Sequence, residues 1–60
     1  MSSSHKIFEK METQWDDFTD NHVVAREEGN KSAARRARKA IGELKKLVTD
    51  YRKQSVKDYE

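Results

Sequence analysis

The 60-residue chain has no cysteine, no proline and only two glycines. Without cysteine, neither a disulfide nor a thiolate metal site can hold so small a domain together. Without proline and with little glycine, it lacks the turn signals that separate short β-strands. No apolar run approaches the ~20 residues of a membrane span. These absences predict long helices in one domain, residues 1–60, of a cytoplasmic protein with no membrane partner.

The one strong break in the helical sequence is Gly29-Asn30. Glycine suits the left-handed position just after a helix, and an asparagine side chain can cap the next helix. The sequence predicts helix 1 at about residues 4–28, with Ser4 as its cap, and helix 2 at about 30–57. The predicted fold class is therefore all-α, an antiparallel two-helix hairpin resembling a coiled coil.

Apolar residues recur at intervals of three and four in both helices, which is typical of a coiled-coil seam of a and d positions in a heptad abcdefg. In helix 1 the predicted seam is Phe8, Met11, Trp15, Phe18, His22 and Ala25. In helix 2 it is Ala34, Ala37, Ile41, Leu44, Val48 and Tyr51. With the turn centred between residues 29 and 30, facing residues have numbers that add to 59. This register pairs large residues with large ones and small with small, which supports the hairpin.

A two-helix hairpin covers its seam from one side only, so the sequence also predicts self-association. The default is a dimer that forms a four-helix bundle, or a larger assembly. The flank at position g is partly apolar and is the predicted contact between chains. The predicted interface residues are Ile7, Trp15, Phe18, Ala40 and Leu47. Val23 and Val24 lie off the seam: helix 1 is irregular at 20–24, or the pair touches another subunit, or it is simply exposed.

Charge is divided unevenly between the helices. Residues 1–29 carry three basic and seven acidic side chains, a net charge of −4, and residues 30–60 carry ten basic and four acidic ones, a net charge of +6. Basic pairs recur every seven residues at positions e and f beside the predicted seam of helix 2, and further basic residues precede them. We call the following nine residues the basic ridge: Lys31, Arg35, Arg36, Arg38, Lys39, Lys45, Lys46, Arg52 and Lys53.

The basic ridge has two interpretations. From Lys31 to Arg52 it spans ~32 Å of helix, close to one turn of duplex DNA, and would bind phosphates of any sequence. RNA is left open as the nucleic acid. Alternatively, Glu43 and Asp50 on helix 2 and Glu12 across the hairpin pair with the ridge. The second interpretation favours a coiled-coil interaction or scaffold module with no nucleic-acid role.

Residues for catalysis or cofactor binding are scarce. The two glycines form no phosphate-binding loop, and His5 and His22 stand apart with no cysteine to complete a metal site. Asp16-Asp17 is expected to be solvated rather than an acid–base couple in a pocket. The sequence therefore predicts no enzyme, no cofactor, no metal and no small-molecule substrate.

Two stretches of helix 2 resemble a known family. Residues 29–39, GNKSAARRARK, and residues 51–56, YRKQSV, resemble the bacterial linker-histone-like proteins of the chlamydial and Bacteroides type. The resemblance covers roughly residues 24–57. It implies a small nucleoid-associated protein that binds DNA and compacts the chromosome. By position, it implies DNA-binding roles for Lys31, Arg36, Arg38, Lys39, Arg52 and Lys53.

The chain departs from that family at its end. Some members carry a long tail rich in Lys and Ala, which these 60 residues do not include. Compaction is therefore expected to need several associated chains.

Overall fold

The computed structural model describes residues 3–60 and shows two α-helices joined by a two-residue turn. Helix α1 spans Ser3–Glu28 and helix α2 spans Lys31–Tyr59, and residues 3–60 contain no strand. The helices pack side by side, antiparallel, into a rod of 45 × 16 × 11 Å. The predicted all-α hairpin is confirmed. Neither helix, as far as it is described, is long and apolar enough to cross a membrane.

The turn takes its shape from two residues. Gly29 has a φ of 62°, in the left-handed region that glycine enters without steric cost. Asn30 is extended, and its side-chain oxygen accepts a hydrogen bond from the backbone N–H of Ala33 at 3.0 Å. Such a cap stabilises a helix by about 1 kcal/mol relative to alanine. Local chemistry at these two positions therefore reverses the chain.

The open end of the hairpin is held by Asp58. The backbone N–H of Ser4 donates to Oδ2 of Asp58 at 2.9 Å, and Nε2 of Gln54 donates to Oδ1 at 3.1 Å. Ser4 is buried one residue inside α1, so its prediction as the helix cap is wrong. A carboxylate from α2 instead satisfies an N–H group at the start of α1, where negative charge is favourable.

The seam between the helices is built mainly from small and half-buried residues. On α2 the buried apolar residues are Ala33, Ala37 and Ala40. The half-buried residues that extend this line along α2 are Leu44, Leu47, Tyr51 and Gln54. On α1 the residues in the corresponding heptad positions are Ser4, Ile7, Met11, Gln14, Phe18, Asn21 and Ala25. The seam thus uses positions d and g.

The prediction that the larger residues at the a positions lie in the seam is therefore wrong. Phe8, Trp15, Ile41 and Val48 are 44, 52, 37 and 40 % exposed, and His22 is exposed as well. The distance between packed helices depends on the side chains at the contact. Alanines on α2 allow a close approach, and rotating each helix toward position g removes the bulkier a residues from the contact.

Helix α1 is continuous through residues 20–24, which excludes the alternative of an irregular helix there. Val24 is half-buried, whereas Val23 is 47 % exposed. Val23 follows Asp16 and Asp20 at helical spacing, on the side of α1 directed away from α2. The exposure of Val23 on that side favours the alternative of a simply exposed residue.

The rotated seam gives the hairpin two unlike long faces. On one side, polar residues of both helices line a shallow groove, among them Gln14, Asn21, Arg36 and Glu43. The other side carries two adjoining apolar grooves that share Leu44. We call this side the apolar face: Phe8, Met11, Trp15, Ile41, Leu44 and Val48.

Candidate nucleic-acid interface

The basic ridge lies on one continuous helix, and all nine of its side chains are exposed. Since α2 runs unbroken from Lys31 to Tyr59, residues seven apart are separated by ~10.5 Å along its axis. The charges therefore form regular steps along a straight rod. A long polyanion can follow such a surface.

In each pair at positions e and f, the two side chains point to opposite sides of the line along α2 that faces directly away from α1. Lys45 borders a groove on the apolar face, whereas its neighbour Lys46 borders a groove on the opposite, polar side of the hairpin. Because successive residues are turned by 100°, the same holds for Arg38-Lys39 one heptad earlier. The expectation that the pairs lie together beside the seam is wrong, since the seam has moved to position g. Positive charge covers the whole outer half of α2 instead.

Few carboxylates neutralise the ridge. Within residues 3–60, the only ion pair of a ridge residue joins Nζ of Lys46 to Oε1 of Glu43 at 3.7 Å, and the two side chains are 77 and 46 % exposed. An exposed pair of this kind contributes ~0–1 kcal/mol. Glu12 forms no ion pair with Lys45 across the hairpin, although the sequence predicted one. Most of the ridge therefore keeps its charge available for phosphates.

Arg36 differs from the other ridge residues because it also joins the two helices. Its Nε donates to Oδ1 of Asn21 at 2.8 Å. Sequence reasoning missed this contact, which becomes visible only when Asn21 is placed on the seam side of α1. The remaining guanidinium donors of Arg36 stay exposed and can still reach a phosphate.

The acidic residues of α1 are also exposed, and only Asp17 among them lines the polar groove together with the ridge residues Arg36 and Lys39. These acidic residues are Glu9, Glu12, Asp16, Asp17, Asp20, Glu27 and Glu28. The hairpin therefore has opposite charge on its two long edges. A polyanion would be attracted to the α2 edge and repelled from the α1 edge, which orients its approach.

Comparison with known protein families shows to which family the chain belongs. The sequence profile of a family described as histone H1-like protein Hc1 matches residues 5–60. The chain belongs to this family. Neither a curated protein nor a solved structure gives a significant match. The Hc1 family is histone-like and is not an enzyme family, and membership in it supports a DNA-binding role in the nucleoid.

The Hc1 match covers both helices, whereas the resemblance read from the sequence covered roughly residues 24–57. In this Hc1-family hairpin, the basic residues of the two resembling stretches all fall on α2. The structure places these residues together with Lys45 and Lys46, which belong to the ridge but not to those stretches. A single helix thus carries every predicted DNA-binding residue.

The predicted oligomer contacts are divided between two places. Ala40 is buried and Ile7 and Leu47 are half-buried along the seam of a single hairpin. The g flank, which the sequence predicted as the contact between chains, instead forms the contact between the protein's own two helices. Trp15 lies exposed on the apolar face, and its ring centroid is 5.4 Å from that of half-buried Phe18.

Proposed function

We propose that this Hc1-family hairpin is a nucleoid-associated protein that binds DNA without sequence preference through phosphate contacts from α2. One observation carries the proposal: nine exposed basic side chains follow one helix, and a single carboxylate, that of Glu43, pairs with them among residues 3–60. The location that follows is the nucleoid of the cytoplasm.

Binding would draw on counterion release. Duplex DNA carries one negative charge per about 1.7 Å of its axis, and each Lys or Arg that replaces a condensed cation favours the complex. The ~32 Å between Lys31 and Arg52 place the ridge along about one turn of duplex. Phosphates are the same in every sequence, so contacts of this kind position the protein without reading bases.

A single hairpin offers a modest charge, since the net charge of the chain is only +2. Linking binding units raises the apparent affinity without any new kind of contact. We therefore include self-association, with a dimer as the default, in the proposed role of compacting the chromosome. RNA also presents phosphates and is retained as a second ligand to be tested.

One observation favours the scaffold alternative. The apolar face leaves large side chains uncovered, as expected of a module whose purpose is assembly. On that account the basic ridge would only keep the assembly soluble.

Binding to unrelated nucleic acids at two salt concentrations separates these functions. We expect two duplexes of unrelated sequence, labelled for fluorescence anisotropy, to bind with equal affinity at ~50 mM salt and to lose most of it at ~200 mM. A single-stranded RNA of equal length shows whether the ridge requires a duplex. Absence of salt-sensitive binding to any of them would leave the scaffold function.

A further inference from the structure

The apolar face is the largest feature of the hairpin that DNA binding does not explain. Within one hairpin, the fully buried apolar side chains of residues 3–60 are three alanines, whereas Phe8, Trp15, Ile41 and Val48 remain exposed. A core of this size cannot offset the conformational entropy of a 60-residue chain. The stable form of the protein therefore needs a cover over this face.

The exposed area matches what one further copy would bury. The hairpin exposes 4867 Å², whereas a compact monomer of 7.1 kDa is expected to expose roughly 4,100 Å². The excess, roughly 800 Å², is close to the area that each partner buries in a standard protein–protein interface. Four helices can enclose the aromatic residues of this face as a bundle core.

We infer that the apolar face binds a second copy of this chain, with α1 of each hairpin lying against α2 of the other. Two twofold arrangements bring the faces together. A twofold axis perpendicular to the helices stacks acidic α1 on acidic α1 and basic α2 on basic α2. An axis parallel to the helices pairs acidic α1 with basic α2, which opposite charge favours.

The apolar grooves fit the parallel-axis arrangement. Trp15 and Leu44 line the same groove, so they lie at the same height along the rod. Leu44 also lines the next groove, between Ile41 and Val48. Rotation about an axis parallel to the rod preserves height, so Trp15 of one hairpin faces the groove of the partner, and the reverse contact forms by symmetry.

Charged residues at the edge of these grooves also fit the parallel-axis arrangement. Glu12 lines the groove beside Trp15, and Lys45 lines the groove beside Leu44. Within one hairpin they form no ion pair. In the parallel-axis dimer, Glu12 faces the partner's Lys45, which gives the carboxylate the cation that the hairpin itself does not supply.

This dimer would present two basic surfaces on opposite sides. Apart from Lys45, which faces the partner's Glu12, the ridge on the outer half of each α2 stays uncovered, and the two ridges are related by the twofold axis. Resting on the proposed DNA-binding function, the dimer then holds two duplexes at once and bridges them.

Val48→Gln and Val23→Gln form a matched pair for testing the interface. Both replace a valine of similar exposure by an uncharged residue, but Val23 lies on the side of α1 directed away from α2. In sedimentation equilibrium without DNA, the parent is expected to be a dimer. Val48→Gln should weaken dimerisation at least ~10-fold, because a buried valine is lost from each copy. Val23→Gln should leave it unchanged.

Two results overturn the interface: a monomeric parent at high concentration, or a Val48→Gln variant with parental dimer affinity. Should Val48→Gln unfold, raising its concentration must restore helical circular dichroism, because folding is then coupled to association by mass action. Unfolding that does not depend on concentration contradicts the proposal.

Cysteine cross-linking tests the order of the helices, since the chain has no cysteine of its own. A mixture of Glu12→Cys chains and Lys45→Cys chains should form disulfides between the two variants. Efficient linkage of Lys45→Cys to itself would show α2 against α2 and overturn the arrangement.

Bridging is measured as capture of a labelled duplex by a duplex fixed to beads. The parent should capture it, and Val48→Gln, compared at equal occupancy of a single duplex, should not. Capture by Val48→Gln equal to that of the parent contradicts bridging by this dimer. A dimeric parent that binds no DNA would refute the proposed function while leaving the interface intact.

Discussion

Arg38 and Lys39 show how adjacent residues can serve one binding surface from two sides of a helix. They are turned by 100° about the axis of α2 and both are exposed. Neither takes part in an ion pair within residues 3–60. Each can therefore reach its own phosphate.

Replacing Arg38 and Lys39 with Gln tests this pair. Each lost phosphate contact should make the slope of log affinity against log salt shallower by about 0.9, so the expected change is up to ~2. The helix should persist, since glutamine is a good helix former. Asp16 and Asp17 changed to Asn serve as the control, and affinity should stay constant or rise slightly. A folded Arg38/Lys39 variant with the parental slope would show that these residues do not contact phosphates.

Trp15 is the residue whose role changes most once the seam is located. A fully buried aromatic costs ~3–5 kcal/mol when truncated to alanine, but Trp15 is 52 % exposed in one hairpin. We expect Trp15→Ala to lower the free energy of unfolding by less than that at low protein concentration, where fewer chains are paired. The loss should grow with protein concentration in denaturant titrations. Val23→Ala is the control, and a concentration-independent loss for Trp15→Ala would contradict this role.

Alanines determine how the two helices meet. Ala33, Ala37 and Ala40 form a smooth strip on α2, and α1 packs beside this strip rather than against Ile41 and Val48. Residues at position g therefore lie in the contact between the two helices of one hairpin. Substitutions there should affect each single chain before they affect assembly.

Leu47→Glu tests this assignment at the level of the helix pair. Leu47 is half-buried in the seam, so a carboxylate there should lower the free energy of unfolding by at least ~2 kcal/mol at every protein concentration. The measurement is urea unfolding followed by circular dichroism. Thr13→Glu, at an exposed position of α1 outside the apolar face, should change stability by less than ~0.5 kcal/mol. Equal stability of the two variants would mean that Leu47 is outside the seam.

The predictable parts of the hairpin are those fixed by local chemistry. Gly29 and Asn30 predict the turn, because a left-handed glycine and a side-chain helix cap depend only on residues close in the sequence. The choice between a and g positions was not predictable, since Ile41 and Ala40 are adjacent and both sets recur at three and four. Only the packing of two helices decides between them. The bond from Ser4 to Asp58 joins residues 54 positions apart, which no periodicity reveals.

Across the whole molecule, charge rather than shape defines the proposed binding surface. The rod carries an acidic helix and a basic helix, and the chain as a whole has a net charge of only +2. Net charge alone would therefore predict weak binding to DNA. The central claim is that the position of charge on α2 determines the affinity.

Two variants of equal net charge test that claim most directly. One changes Lys39, Lys46 and Lys53 of the ridge to Gln. The other changes to Gln the three basic residues of α1, which are Lys6, Lys10 and Arg26. Both variants have a net charge of −1, three below the parent's +2.

The measurement is the salt dependence of duplex binding for both variants and the parent. We expect the ridge variant to bind much more weakly, with a slope shallower by up to ~2.7, and the α1 variant to retain the parental slope. Equal losses of affinity and of slope in the two variants would contradict a binding surface on α2.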